Sequence, residues 1–165
     1  MQRRWKILAL AAATFTVSGL VQAKQVMCVF DLVGKNGDVY SVMKDYQLAA
    51  KNWGADIELR VNTNEAVVAE DFKAGKCDGI SVTGMRGRQF NSFTGSLDAI
   101  GAIPDLNLAV KVMQGLASPT FAKHMLNGKY EVVGVIPVGD AFLLVNDRSI
   151  NTVAKAAGKK IAVLD

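Results

Sequence analysis

Arg86 and Arg88 are the side chains best suited to binding chemistry, because a guanidinium group pairs well with carboxylates. They stand two positions apart in a polar segment that follows a predicted strand. This spacing suggests contact with an anion, and solvated surface arginines are the alternative. The one histidine, His124, has no cysteine or second histidine nearby to complete a metal site, which favours a surface or capping role.

The two cysteines, Cys28 and Cys77, could form a disulfide, because both follow an export signal that leads to an oxidising compartment. Their spacing resembles no metal motif. If the first and third predicted strands are neighbours, both cysteines lie toward the amino ends of those strands, and a bridge there would be structural. Two buried free cysteines are the alternative.

Catalytic motifs are missing from the sequence. It contains no Gly-x-Ser-x-Gly elbow, no His-Glu-x-x-His pair and no phosphate loop. Asp31 and Asp38 are too generic to indicate an acid and base pair. We therefore predict that the chain is not an enzyme and needs no metal or cofactor.

The first 23 residues read as a secretory signal peptide. Arg3, Arg4 and Lys6 precede an uncharged stretch at 7–20, and small residues lead to a predicted cleavage after Ala23. The uncharged stretch is shorter than the roughly 20 residues that cross a bilayer. Three of the 19 basic residues leave with the signal and all 15 acidic residues stay, so the mature chain is close to neutral and nucleic-acid binding is not expected.

Strands and helices alternate after the signal. A buried apolar run is followed by a glycine-containing turn, and Asp38 is placed to cap a helix whose apolar residues fall on one face. The pattern then repeats, which predicts right-handed crossovers and a parallel sheet. The predicted strands are 25–31, 56–61 and 79–83, and the predicted helices are 38–53 and 65–74.

The second half is less regular. Residues 106–126 read as helical with a break near Ser118 and Pro119. The stretch 130–146 is rich in β-branched residues and predicts two strands or one bent crossing strand. A short helix at 149–157 and a final strand at 159–164 follow, so we expect the chain to end inside a second structural unit.

Several stretches resemble the type II periplasmic solute-binding proteins of tripartite ATP-independent transporters. The stretches are 72–79, 142–145 and 149–163. A narrower resemblance is to a group of solute-binding proteins labelled as efflux components linked to aminoglycoside resistance. It rests on Cys28-Val29-Phe30-Asp31 with Gly34 and Gly37-Asp38, on 86–91 and on 93–96.

The resemblance implies an α/β fold: a periplasmic-binding-protein-like lobe with a mostly parallel sheet flanked by helices, plus the start of a second lobe. It divides the chain into a signal peptide (1–23), a first lobe (24–129), crossing strands or hinge (130–148) and the start of a truncated second lobe (149–165). Ligands of open parallel sheets bind at the carboxyl ends of the strands. The ligand-binding residues implied here are Asp31, Lys35, Asn36, Asn62, Asn64, Thr83, Arg86, Arg88, Asp140 and Phe142.

The implied function is capture of a small anionic or polar solute for a membrane transporter in the periplasm. The alternative is a periplasmic accessory of a resistance-nodulation-division efflux system linked to aminoglycoside resistance. Long heptad hairpins of efflux adaptors are missing from the sequence. The loops also carry Lys35, Arg86 and Arg88, whereas a polycationic drug favours an acidic cleft.

Overall fold

The computed structural model describes residues 24–99, 101–139, 144–160 and 162. Its strands are β1 (Gln25–Phe30), β2 (Ile57–Asn62), β3 (Gly79–Ser81), β4 (Leu126–Asn127) and β5 (Tyr130–Glu131). Its α-helices are α1 (Asp38–Asn52), α2 (Glu65–Lys73), α3 (Gly84–Gly87), α4 (Ser92–Leu97), α5 (Leu106–Leu116), α6 (Ala122–Met125) and α7 (Val153–Ala156). Short 3-10 helices cover Gly34–Asn36 and Pro119–Phe121.

The first three strands form a parallel sheet in the order β2-β1-β3. Cys28 in the central strand pairs with Arg60 on one side and with Ile80 on the other. Parallel neighbours need a crossover connection, and α1 and α2 provide it. The predicted α/β class and parallel sheet are therefore confirmed.

The core lies on the two faces of the central strand. Alternate residues of β1 pack toward α2, where Cys28, Val68 and Cys77 form a buried cluster. Val29 points the opposite way and is fully buried. Helix α1 contributes buried Met43 and Ala50. Because β1 is covered on both faces, its apolar residues run without polar interruption.

An aromatic cluster joins the later elements to this core. Phe90, between α3 and α4, lies 5.2 Å from Phe72 of α2 and 5.1 Å from Tyr130 of β5, measured between ring centroids. Two side-chain amides stabilise this contact. Asn91 donates a hydrogen bond to the carbonyl of His124 (2.8 Å), and Asn127 donates one to the carbonyl of Phe90 (2.7 Å). The β4-β5 hairpin is thereby held beside α2.

The start of α1 differs from the prediction. The N-cap is Gly37, which has no side chain to accept a bond, and Asp38 is the first helical residue. The carboxylate that bonds to the first turn belongs to Asp31, nine residues before its partner Tyr40. The prediction that Asp38 caps the helix was wrong, because a nearby aspartate from the preceding strand end occupies that role.

The stretch 130–146 also differs from the prediction. Among the described residues of this stretch, only Tyr130–Glu131 is a strand, and residues 132–139 have no regular structure. Val133 and Val138 are 80% and 81% exposed, so no neighbouring strand covers them in the described chain. The predicted break in 106–126 is confirmed, because α5 ends at Leu116 and Pro119 begins a 3-10 turn. Of the predicted final strand, residues 159, 160 and 162 are described and have no regular structure, and the rest lies outside the described residues.

No described helix is long and apolar enough to cross a membrane.

Candidate ligand-binding edge of the sheet

The loops that follow β1, β2 and β3 meet at one end of the sheet, which we call the carboxyl edge (residues 31–41, 62–66 and 82–88). The register places Phe30 beside Asn62, and the N–H of Asp31 donates to the carbonyl of Asn62 at 3.1 Å. A Cβ at Gly34 would lie 3.6 Å from Cγ2 of Thr63, so the first two loops are in contact. The sheet therefore brings together residues that are about 20 to 50 positions apart in the chain.

Asp31 organises the first loop. It is 4% exposed, and its carboxylate accepts hydrogen bonds from the N–H groups of Val33 (2.9 Å) and Tyr40 (3.0 Å). A Cβ at Gly37 would overlap this carboxylate, so the approach requires glycine there. Asp31 lies at the edge as predicted, and its oxygens are occupied by the turn that leads into α1.

The second loop carries two asparagines with related roles. Asn62 accepts a hydrogen bond from the N–H of Asn64 through its side-chain oxygen (2.8 Å). Asn64 is the N-cap of α2 and accepts from the N–H groups of Ala66 (2.9 Å) and Val67 (3.3 Å). In both residues it is the oxygen that serves the backbone, which leaves the amide NH2 groups as donors at this edge.

Glu65 is a residue that the sequence reasoning missed. It begins α2 and is 7% exposed. One carboxylate oxygen accepts from the N–H of Thr83 (2.6 Å), and the other lies 3.4 Å from Nε of Arg86. Glutamate at the start of a helix is common because it suits the helix dipole, so nothing local in the sequence indicates these distant partners.

The third loop turns directly into α3. The hydroxyl of Thr83 accepts a hydrogen bond from the N–H of Arg86 (3.2 Å) and caps this short helix. The third strand was predicted to end at Thr83 but ends at Ser81. The backbone N–H of Thr83 donates to Glu65 and does not extend the β3 ladder.

Arg86 and Arg88 point to different elements. Arg86 pairs with Glu65 at the start of α2. Arg88 packs against α4, where a Cβ at Gly95 would lie 3.0 Å from Cβ of Arg88. The two arginines, which are two positions apart in the sequence, therefore do not form one site. Arg88 lines an open groove with Gln89, Ser92 and Ser96.

The remaining predicted site residues fall into two groups. Lys35 and Asn36 are exposed on the 3-10 turn after β1, at the carboxyl edge. Asp140 and Phe142 lie outside the described residues.

Cys28 and Cys77 form a disulfide, with their Cα atoms 5.8 Å apart. The bond is buried against Val68, with the two cysteines 5% and 4% exposed. Cys77 precedes β3, whereas Cys28 is the fourth of six residues in β1, nearer the middle of its strand than predicted. The bond crosses from the central strand to the chain leaving α2 and lies outside the carboxyl edge.

His124 is exposed and stacks on Phe93 with ring centroids 5.6 Å apart. No group of histidine, cysteine or acidic side chains in the described ranges could hold a metal ion.

Glu58 is an ion-paired carboxylate outside the edge. Its pKa is lowered chiefly by a hydrogen bond from Arg60 (2.7 Å) and then by Lys24 (3.3 Å). It is the second residue of β2 and lies toward the opposite end of the strand. The pKa of Asp147 is also lowered, by a hydrogen bond from the N–H of Ser149 at 2.8 Å.

The sequence of the chain matches a known protein family. The model of the family described as solute-binding protein AdeT 1/2 matches residues 47–165. The chain belongs to this family. The match covers the second and third loops of the carboxyl edge, while β1 and the loop after it precede the matched region.

Two relatives from Acinetobacter baumannii carry the family name. The probable solute-binding protein AdeT1 is 56% identical over 135 residues, which cover 82% of this chain and 44% of AdeT1. The probable solute-binding protein AdeT2 is 41% identical over 70 residues, or 42% of this chain and 29% of AdeT2. The chain thus spans less than half the length of either relative. No solved structure matches the chain.

Proposed function

We propose that this member of the AdeT 1/2 family belongs to a periplasmic solute-binding protein, and that its carboxyl edge forms one wall of the binding cleft. The observation that supports this is the meeting of three polar loops at the carboxyl ends of parallel strands. Ligands of open α/β sheets bind at that position because loop amides and side-chain donors converge there. A binder requires no nucleophile, and its ligand can be held by donors of the kind that Asn62 and Asn64 present.

The proposed architecture has two lobes, like that of the type II binding proteins of tripartite ATP-independent transporters. Residues 24–129 form the first lobe, 130–148 the connection, and 149–165 begin the second lobe. Support comes from the relatives, because the 135 matched residues are only 44% of AdeT1. The second wall of the cleft, and any arginine that it adds, then belongs to the remainder of the full-length protein.

We also propose that the protein works in the periplasm and passes its solute to a membrane transporter. The disulfide supports this location, because such bonds persist in oxidising compartments. Mass spectrometry of the periplasmic fraction tests it: the mature chain should begin at Lys24, after cleavage behind Ala23. A chain that keeps Met1 and stays with the cytoplasmic fraction would contradict the proposal.

The solute-binding role is tested by thermal unfolding of the full-length protein with sugars, polyols, amino acids, organic acids and the aminoglycoside kanamycin. A solute at 100 times its dissociation constant adds about 2.7 kcal/mol to the free energy of unfolding. We expect one solute class to raise the melting temperature. Stabilisation by kanamycin alone would instead favour the efflux-accessory role, and no stabilisation by any class would contradict solute binding.

A pair of variants tests whether the solute binds at the carboxyl edge. Asn62→Leu removes an amide from the carboxyl edge, whereas Asn52→Leu makes the same change at the exposed end of α1. Each variant is compared with its own unliganded melting temperature, so that any loss of intrinsic stability cancels. The solute-induced shift should fall for Asn62→Leu and persist for Asn52→Leu, and equal shifts in both would place the solute elsewhere.

A further inference from the structure

The charges at the carboxyl edge balance. Across its three segments there are three carboxylates and three cations: Asp31, Asp38 and Glu65 against Lys35, Arg86 and Arg88. A binding wall that selects anions needs an excess of positive charge facing the ligand. The net charge of this wall is zero, so it provides no such excess. Its preference for anionic or neutral solutes then depends on the position of each charge.

The most buried cation of the edge is already neutralised. The side chains of Arg86 and Glu65 are 27% and 9% exposed, with Nε and Oε2 3.4 Å apart. The field of two opposite charges at this separation falls off much faster with distance than that of a single charge. A carboxylate solute that approaches Arg86 therefore also meets the carboxylate of Glu65, whose repulsion offsets the attraction.

The other two cations do not restore an anion site. Arg88 packs on the α4 side of α3, against Gly95. Lys35 is exposed and stands between Asp31 and Asp38 in the sequence. An exposed lysine is hydrated and its charge is screened by salt, so Lys35 contributes little attraction for an anion.

The groups of the carboxyl edge that remain available to bind a solute are uncharged hydrogen-bonding groups. No acceptor among the described residues bonds to the side-chain NH2 groups of Asn36, Asn62 and Asn64. The hydroxyl of Thr83 accepts a bond from Arg86 and keeps its own proton to donate, and Thr63 is exposed between the two asparagines. Amides and hydroxyls of this kind match the hydroxyls of a sugar or polyol, because each can both donate and accept.

We propose that the solute is uncharged and rich in hydroxyl groups, such as a sugar or polyol, and that Glu65 excludes anions by neutralising Arg86. This inference rests on the proposed solute-binding function and specifies its ligand class. Glu65 is a specificity-determining residue in this scheme, since it acts on the solute through Arg86.

The experiment measures thermal unfolding of the full-length protein with probes that match in size and differ in charge. Each set holds a neutral sugar, its aldonate and its amino sugar: glucose, gluconate and glucosamine, with the corresponding galactose and xylose sets. At saturating concentration we expect a neutral member to raise the melting temperature by a few degrees, and its aldonate to give no shift.

An aldonate or amino sugar that stabilises the protein more than its neutral partner does would overturn the proposed ligand class, although solute binding itself would stand. If no sugar probe stabilises the protein but another solute class does, the proposed ligand class is wrong and the solute-binding function still stands. If no solute of any kind stabilises, the proposed function fails and this inference with it.

A charge-removing variant gives a second readout. Glu65→Gln keeps the shape of the side chain and removes the carboxylate charge that pairs with Arg86. The variant should therefore bind the aldonate at least roughly tenfold more tightly than the wild type does. Glu58→Gln is the matched control, because it removes a carboxylate paired with Arg60 outside the edge. Equal aldonate affinity in Glu65→Gln and Glu58→Gln would overturn the role of Glu65. Should Glu65→Gln not fold, Glu65→Asp retains the charge, and the wild-type probe sets alone decide the ligand class.

Discussion

Removing the Cys28–Cys77 disulfide should destabilise the protein more than any other single chemical change to the described core. The bond joins the central strand to the segment before β3 and closes a loop with a sequence separation of 49. Both cysteines are buried with Val68, and Phe72 and Ile80 pack around them. The perturbation is therefore reduction of the bond in the wild type, accompanied by the double variant Cys28→Ala/Cys77→Ala.

The magnitude follows from the length of the loop. A cross-link of this separation removes about 14 cal/mol/K of entropy from the unfolded chain, or about 4 kcal/mol at 25 °C. Reduction leaves both sulfur atoms in place and should cost about this amount. The double alanine variant also loses buried contacts, so a further 1 to 2 kcal/mol is expected. Domains have total stabilities of about 5 to 15 kcal/mol, and the loss should bring the protein close to unfolding.

The assay is urea unfolding followed by circular dichroism, with and without a phosphine reductant. We expect a lower midpoint after reduction and a steeper dependence on urea, because an unlinked unfolded chain exposes more surface. A loss below about 1.5 kcal/mol on reduction would refute the reasoning, since the bond would then not restrict the unfolded chain as its loop length requires. The difference between reduced wild type and the alanine variant isolates the packing contribution.

Three further substitutions test the loops of the carboxyl edge by the same unfolding assay. Asp31→Ala leaves two partly buried backbone N–H groups without their carboxylate and should cost about 1 to 3 kcal/mol; a loss under about 0.5 kcal/mol would contradict the organising role of Asp31. Gly37→Ala places a Cβ on the Asp31 carboxylate and should cost about 1 to 3 kcal/mol, whereas Gly115→Ala, in open space within α5, should stabilise by up to about 1 kcal/mol; equal effects would contradict the close approach. Asn64→Ala removes the N-cap of α2 and should cost about 1 kcal/mol, while Asn64→Asp should retain most of the stability; equal losses in both would contradict the cap.

The first five elements of the fold could be predicted from the sequence because their signals are local. Each strand is an apolar run, and the helices α1 and α2 are followed by Gly54 and Gly75, whose φ angles of 82° and 73° favour glycine. The predicted boundaries agree with the structure to within two residues. Pairing of the first and third strands could likewise be tested through the cysteines, whose disulfide is present.

Residues 130–146 could not be predicted in the same way, because a strand needs a partner as well as β-branched residues. Val132 bonds through its N–H to the carbonyl of Met125, which extends the β4-β5 hairpin by one bond. Beyond it, Pro137 cannot donate to a ladder, and Val138 is exposed. Composition indicated extended backbone, but it carries no information on whether a neighbouring strand is present.

The two aspartates around the first loop show why site residues are harder to predict than elements. Asp31 and Asp38 both flank a glycine-containing turn, and local rules assign the cap to Asp38 because it stands next to the helix. The structure reverses this, because Gly37 allows the chain to fold back until Asp31 reaches the N–H of Tyr40. The choice depends on a contact across nine residues, which no helix-start pattern contains.

Arg86 and Arg88 show that contacts between distant residues also decide the charge of a candidate site. Their spacing suggested one anion site only as long as the segment was taken to be irregular. In a helix, positions two apart point about 200° from each other, and the short helix at Gly84–Gly87 separates Arg86 from Arg88 in this way. Arg86 then meets Glu65, which stands 21 positions earlier and is brought near by the return of the chain through β3. The net charge of the carboxyl edge is therefore decided by ion pairs that the fold creates. If the edge is the proposed binding wall, its ligand class depends on Glu65 as much as on the arginines.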